Sequence, residues 1–348
     1  MKQRSKLIKS VLKLSPNNTY HNLNKFFSYK DIFIGMIDGG RGVGKTTGAL
    51  LQGLLGVDKG NEFIYLRRYK PEIKEFISKD SLSPIIDGVK YVGDGAGGYT
   101  AYYDKIKLGY LLPLSISRQY KSTDFSKVTL IIFDEAFVFR SSSYRYLKNE
   151  IKDFLEFLST VIRTRTNVKV VLLANNEDLF SPYHTYFNIP AFEGIYIDKE
   201  RGIYCEHVKN SPALIELESK TGLFKLTKDT AYGDYHYKNK NIAIRKVEID
   251  TKPSQSVLLV RLCIEGNTIT LYRYYLNNVL RLYCEYRNKV IDDKYAYKIM
   301  DKGKFNNFDV DLYKKRIKKF IERFYYNNLI TYNDEKGGAI LSWVIEQI

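Results

Sequence analysis

The sequence predicts an α/β fold built on a parallel sheet, and three observations carry that expectation. The apolar run Ile32, Phe33, Ile34, Gly35, Met36, Ile37 is followed by Gly-Gly-Arg-Gly-Val-Gly-Lys-Thr at 39–46, then by helical composition from Thr47 to Leu55. A second apolar run, Val128 to Phe133, ends on Asp134 and Glu135. A third, Val168 to Leu173, ends on Ala174, Asn175 and Asn176. Continuous apolar runs suit strands buried on both faces rather than half-exposed ones.

In chain order, residues 1–31 are basic and rich in Asn, Tyr and Phe, and Phe26, Phe27 and Tyr29 stand just ahead of the first strand, placed to offer a ring to a nucleotide base. The next eight residues, Gly39, Gly40, Arg41, Gly42, Val43, Gly44, Lys45 and Thr46, match the phosphate-cradling P-loop completely. Glycines let backbone N–H groups close on a triphosphate, and Lys45 neutralises the β- and γ-phosphates. Thr46 offers a hydroxyl to Mg²⁺, while Thr47 opens a helix whose positive dipole end faces the anion.

Glu62 to Leu66 reads as a second strand, followed by the basic turn Arg67, Arg68, Tyr69, Lys70, Pro71. Residues 87–121 alternate short β-like runs with a flexible Gly-rich loop at 93–98, which reads as an excursion over the site. The Asp134–Glu135 pair falls at the carboxyl end of its strand, where open α/β sheets bind ligands. Asp134 is expected in the Mg²⁺ shell and Glu135 as the general base that orients water. Tyr144 to Thr164 has near-helical apolar spacing at Leu147, Ile151, Phe154, Leu158 and Ile162, and ends in Arg163, Thr164, Arg165. Asn175 either senses the γ-phosphate or caps the next turn.

Lys and Arg number 55 against 39 Asp and Glu, a formal net charge of +16 spread along the chain, which points to a polyanionic partner. Cysteines 205, 263 and 284 have no metal-ligand spacing, and reduced thiols are expected. No stretch nears the roughly 18 apolar residues of a membrane span, and the basic N-terminus lacks a signal core, so a soluble, cytosolic protein is expected. At 348 residues, two domains are the expectation.

With these pieces in hand the chain resembles the genome-packaging motor ATPases of small protein-primed Bacillus phages, the phi-29 type. The match is collinear through 39–46, Phe-Ile-Tyr-Leu-Arg-Arg-Tyr-Lys-Pro-Glu at 63–72, Leu-Pro-Leu-Ser at 112–115, Ile-Ile-Phe-Asp-Glu at 131–135, and the Arg163 and Asn175 segments. It covers about residues 20–190 well and the C-terminal third thinly, as at Thr230, Ala231, Tyr232 and Gly233. The resemblance implies an additional-strand, conserved-glutamate (ASCE, RecA/FtsK-like) P-loop ATPase that drives double-stranded DNA through the portal, or connector, of a procapsid. It also implies a ring, a pentamer, and a location in the host cytoplasm, docked on the procapsid; a structural packaging RNA is left open. In such a ring Arg163 is a finger donated to the neighbouring subunit. Lys121, 13 residues before Asp134, also acts from the adjacent subunit, and Asn175 couples nucleotide state to motion.

Domain limits are expected at 1–206 for the ATPase, 207–241 for a hinge region and 242–348 for a C-terminal domain that binds nucleic acid or procapsid. That last part opens with Ile242, Ile244, Val247 and Ile249, continues with a hairpin (257–264 and 268–276 joined through Glu265, Gly266, Asn267), and carries a basic helix at 311–326. Lys314, Lys315, Lys318 and Lys319 on that helix are candidate phosphate contacts, although a membrane-surface helix has the same grammar. The resemblance implies an RNase H-like, vestigial nuclease fold. Asp250, Glu265, Asp292, Asp293, Asp309 and Asp311 form no two-metal spacing, so no nuclease activity is expected. The competing readings are a nucleic-acid-independent P-loop switch or kinase, and a binding module without turnover.

Overall fold

A computed structural model of the chain describes residues 19–138, 145–175, 181–190, 192, 194–230, 233, 237, 248–327 and 329–347. Contacts divide these into two compact units. The first comprises the described residues within Met1–Val138, Asp153–Asn176 and Phe192–Ile242, the second those within Phe139–Lys152, Glu177–Ala191 and Ala243–Ile348.

The first unit opens with a short helix α1 (Asn24–Ser28). Phe26 is fully buried, and Phe27 and Tyr29 pack against the same core, with Tyr204 6.0 Å or less from Phe26 and Tyr29. Phe26 is therefore core, which removes it from the three rings expected to offer a face to a base, while Phe27 and Tyr29 are partly buried against that core. Strand β1 (Ile34–Gly39) starts two residues later than the apolar run, because ladder pairing to both neighbours begins at Ile34. Helix α2 (Lys45–Asp58) follows, then β2 (Glu62–Arg67) and α3 (Lys70–Ser78).

Strands β3 (Val89–Gly93), β4 (Tyr99–Tyr103) and β5 (Ile106–Pro113) come next, then a 3₁₀ segment (Leu114–Tyr120), β6 (Val128–Phe133), α4 (Glu150–Ile162) and β7 (Lys169–Asn175). The stretch 87–121 is thus an extension of the sheet itself. Its glycine-rich turn is knit together by Asp94, whose Oδ1 accepts from the N–H groups of Ala96, Gly97 and Gly98 at 2.8–3.0 Å. A methyl on Gly109 would collide with the Phe63 carbonyl oxygen, so glycine is what lets β5 lie against β2.

Helix α4 is shorter than the expected 144–164, and Tyr144 itself lies outside the described residues. Leu147 stands ahead of the helix and donates its N–H to Glu150 Oε2 at 2.9 Å, so the apolar spacing runs on past the true start.

The short helix α5 (Pro182–Tyr186) belongs to the second unit. The first unit resumes with β8 (Ile195–Asp198), β9 (Ile203–Val208), α6 (Pro212–Ser219) and α7 (Gly222–Thr227). The expected break at 206–207 falls inside β9, which is hydrogen-bonded to β1, and the first unit keeps the described residues beyond it. Ala231, Tyr232, Ile242, Ile244 and Val247 lie outside the described residues.

The first sheet has the order β3-β4-β5-β2-β6-β7-β1-β9-β8. Its centre, β5-β2-β6-β7-β1-β9, is parallel throughout, and antiparallel strands flank both edges. Strand β7 lies between the P-loop strand and the strand that ends in Asp134, which is the additional-strand arrangement. Both acidic residues, Gly39 and Asn175 therefore meet at one carboxyl edge.

The second unit is a sheet ordered β10-β16-β13-β12-β11-β14-β15 from β10 (Glu248–Ile249), β11 (Val257–Ile264), β12 (Asn267–Leu276), β13 (Val279–Arg287), β14 (Ala296–Asp301), β15 (Lys304–Phe305) and β16 (Ile330–Tyr332). β11, β12 and β13 form an antiparallel meander, and β14 runs parallel to β11. Both meander turns have two residues at positive φ, Glu265–Gly266 (47° and 76°) and Asn277–Asn278 (49° and 61°), which suits the twist of a tight hairpin. Helix α8 (Asn307–Tyr313) passes through a π-turn (Lys314–Lys318) into α9 (Lys319–Tyr326), and α10 (Glu335–Gln347) closes the unit. Leu262, Leu271, Leu282, Tyr313, Ile321 and Leu341 are fully buried in its core. The basic helix therefore begins at Asn307, four residues before its expected start, where the Asn306 side chain accepts from Asp309 N–H.

Candidate nucleotide site

The site is assembled from the carboxyl ends of β1, β2, β6 and β7. The loop after β1 turns through Gly42 (φ 79°) and Gly44 (φ 95°), left-handed positions that glycine adopts without strain, and α2 begins at Lys45. Val43 is buried and anchors the loop, while Arg41, Gly42 and Thr47 are exposed. The buried Lys45 ammonium donates to the carbonyls of Gly39 (2.8 Å) and Gly40 (2.7 Å), which fixes its charge at the mouth of the loop. Gly39 itself is required by packing: a methyl there would lie 2.6 Å from the Val208 carbonyl oxygen.

Across the loop, Thr46 Oγ1 lies 3.1 Å from both carboxylate oxygens of Asp134. A hydroxyl and a carboxylate side by side are hard oxygen donors suited to Mg²⁺. An Mg²⁺ ion held there would take further ligands from phosphate and water. Asp134 is oriented by Tyr65, whose fully buried hydroxyl donates to Oδ2 at 2.8 Å. Burial first, and then the Asp134 charge, push the Tyr65 phenol well above its usual range, so it stays a donor.

Glu135 sits at φ 52°, a left-handed conformation that costs a non-glycine residue about 1–2 kcal/mol and that the surroundings must enforce. They do so through the buried Arg68, which donates to the carbonyls of Glu135 (3.1 Å) and Ala136 (2.7 Å), while Ala136 N–H donates to Leu173 O at 2.8 Å. The Glu135 carboxylate, half exposed, accepts from Arg67 Nη2 at 2.6 Å. Arg67 also donates to Glu72 Oε1 (3.1 Å) and stands 3.6 Å from Asp134 Oδ2. Burial works against the Arg67 charge, but Tyr65, Asp134, Glu135 and Glu72 more than offset it and raise its pKa. For Glu135 the balance is upward: burial raises its carboxyl above the usual range, Arg67 opposes, and Asp134 and Glu72 add to the rise. Sequence reasoning placed Arg67 and Arg68 near this sheet edge but missed both roles. The sequence showed two cations at the end of a strand, but not that this strand lies beside β6.

Asn175 closes β7 in register with Gly39. The structure thus brings Gly39 to Thr46, Asp134, Glu135 and Asn175 to one sheet edge. Lys121 and Arg163 do not join them. They line an open cleft of about 450 Å³ together with Glu156, Ser159 and Thr160. Arg163 ends α4 at φ 53°, exposed, whereas Arg165 two residues on turns inward and donates to the carbonyls of Ser126, Val128 and Val161. Ser126 and Val128 mark the amino end of β6, so Arg163 lies at the opposite edge of the sheet from Glu135. A six-residue strand separates the two edges by about 20 Å.

In the second unit, Lys314, Lys315 and Lys319 are exposed on the helix that contains the π-turn. Lys318 is half-buried and stands 3.6 Å from Glu322, so it is less available than the other three.

A family model of the podovirus DNA encapsidation protein (Gp16) matches residues 16–330. The DNA packaging protein of Bacillus phage phi29 is 27% identical over 259 residues, 73% of this chain and 75% of that protein. The DNA packaging protein of Bacillus phage B103 is 27% identical over 247 residues, covering 68% and 73% of the two chains. Among solved structures, the Phi-28 gp11 DNA packaging motor superposes with a TM-score of 0.61 at 17% identity over 94% of this chain and 97% of that one. The bacteriophage Phi-29 viral genome packaging motor assembly gives 0.60 at 22% identity, over 94% and 99%. At those identities the two structures speak to the fold, in agreement with the strand order above. On the family match, the chain belongs to the podovirus DNA encapsidation protein (Gp16) family.

Proposed function

We propose that this chain is an ATP-hydrolysing subunit of a ring motor that moves double-stranded DNA through the portal into a viral procapsid. The observation that carries the ring is the separation of Arg163 from the chain's own P-loop by the length of a strand, with Lys121 in the cleft that Arg163 lines. A cation about 20 Å from its own Glu135 serves hydrolysis only by reaching a neighbour's nucleotide. The names of the phage relatives support DNA as cargo. The sequence resemblance supports a pentamer docked on the procapsid in the host cytoplasm.

In this reading the loop N–H groups and Lys45 hold the β- and γ-phosphates, and Thr46 and Asp134 hold Mg²⁺, which supplies charge neutralisation on the phosphates. Glu135 orients the attacking water and takes its proton. The neighbour's Arg163 stabilises charge on the γ-phosphoryl oxygens, with Lys121 beside it. Arg67 competes for the Glu135 carboxylate, so the base acts once that pair opens. Lys314, Lys315 and Lys319 contact DNA phosphates, since a motor must accept any sequence. The meander with β14 parallel to β11 supports an RNase H-like second unit. Two of its candidate acids are ion-paired, Asp293 with Arg261 and Asp292 with Lys298 at 2.7 Å, which favours a domain without nuclease activity.

The test is DNA stimulation of ATP hydrolysis, read beside DNA affinity as a function of salt. Hydrolysis should rise with duplex DNA, and log affinity should fall linearly with log salt. Replacing Lys314, Lys315 and Lys319 by alanine should flatten that slope by about 2.7, from roughly 0.9 per phosphate contact. Hydrolysis indifferent to DNA together with salt-insensitive binding would leave the switch or kinase reading in its place.

A pH–rate profile tests the arrangement at Glu135. The base must be ionised, so the rate rises with pH through its pKa, and burial puts that acid limb above the ordinary carboxylate range. Arg67→Ala removes the influence that lowers the Glu135 pKa, and the limb should move to still higher pH. An unmoved limb would mean that Glu135 is not the group titrating.

A further inference from the structure

Residues 19–23 belong to no helix or strand, yet they form a fixed strap across the P-loop and the first turn of α2. Ser211 Oγ donates to the Thr19 carbonyl at 2.7 Å, His21 N–H to the Val43 carbonyl at 2.8 Å, and Gln52 Nε2 to the Asn22 carbonyl at 3.4 Å. Leu23 ends the strap at φ 56° with its side chain fully buried. The strap also packs directly against two glycines. A methyl on Gly44 would lie 2.9 Å from Tyr20 Cβ, and one on Gly48 would lie 2.8 Å from the His21 carbonyl oxygen.

Burial lowers the His21 imidazole, against Glu206 and with Lys45, so it stands neutral beside the loop. Tyr20 differs from its neighbours: 46% of its surface is open, although its backbone is pinned on both sides. Of the rings expected at a base, Phe26 is fully buried in the core, and Phe27 and Tyr29 are partly buried against it.

A nucleotide held by this loop has a fixed sense. The α- and β-phosphates lie on the loop N–H groups and the γ-phosphate reaches Lys45 and the Mg²⁺ side of the loop. The strap packs against Val43 and Gly44 of that same loop, which puts Tyr20 next to the phosphate cradle. We propose that Tyr20 is the base platform of this site, its ring stacking on the purine, with the strap holding it in place by the His21–Val43 hydrogen bond. This rests on the nucleotide-binding reading above. An aromatic on a pinned backbone loses little freedom on stacking, and such a contact is worth about 1–3 kcal/mol, or roughly 5- to 150-fold in affinity.

The experiment compares ATP and inorganic tripolyphosphate binding to the full chain, wild type against Tyr20→Ala and Tyr20→Phe. Tyr20→Ala should weaken ATP about tenfold or more and leave tripolyphosphate unchanged, and Tyr20→Phe should bind both as wild type does. Unchanged ATP affinity in Tyr20→Ala overturns the proposal, as does an equal loss of both ligands, which would make the residue a brace of the loop. Wild type that binds neither ligand would instead remove the nucleotide reading itself.

Discussion

Arg163→Ala, assayed alone, is expected to lose 10³–10⁵-fold in DNA-stimulated ATP hydrolysis, the range for removal of an arginine finger. An equimolar mixture with Glu135→Gln protein, itself deficient in hydrolysis, should recover activity above that of either variant alone. In such a mixture an Arg163→Ala subunit keeps its own Glu135 and can receive Arg163 from a Glu135→Gln neighbour. If subunits join at random through head-to-tail interfaces, roughly a quarter of the interfaces are fully equipped. Recovery near that fraction fits independent interfaces. None at all, with ring assembly intact, would sink the trans assignment.

The alternative for Arg163 is a helix C-terminal cation that merely complements the dipole of α4. Two features of the structure weigh against it. Arg165 already satisfies the bland role, with its guanidinium spent on three backbone carbonyls of the same unit. Arg163 instead stands exposed at a left-handed residue, in the cleft it shares with Lys121. Arg163→Lys should therefore fail to restore the rate, because a finger needs a planar donor set that an ammonium does not reproduce.

What the sequence made legible divides along a physical line. The P-loop and the Asp134–Glu135 pair are local strings, and their chemistry follows from residue type and spacing. Arg163 and Arg165 look alike in sequence, and only the packing of α4 against the amino end of β6 separates a structural arginine from a free-standing one. Arg67 meets Glu135 because β2 and β6 are neighbours, a pairing between residues 68 positions apart that no local pattern encodes. The aromatic stretch before β1 misled for the same reason: rings ahead of a P-loop can face the core or the ligand, and burial decides. The early start expected for α4 followed apolar spacing into a segment where a Glu150 cap, invisible to periodicity, sets the boundary. The Asn277–Asn278 turn, by contrast, is readable as a hairpin from residue type alone.

Glu135→Gln is expected to cut hydrolysis by about 10²–10⁴-fold while leaving ATP affinity near that of wild type. The amide keeps size and shape, so the left-handed turn braced by Arg68 and Leu173 is retained. The binding groups Lys45, Thr46 and Asp134 are untouched, and Arg67 keeps Glu72 and Asp134 as partners. What is lost is a carboxylate able to take a proton from water, and with it the acid limb of the pH–rate profile. Asp134→Asn should behave differently, losing the Mg²⁺ dependence of nucleotide binding as well as rate, because that residue faces the Thr46 hydroxyl rather than the water. If Glu135→Gln instead hydrolyses ATP within tenfold of wild type, the base lies elsewhere, and the Arg67–Glu135 pair is a structural ion pair at the rim of the site.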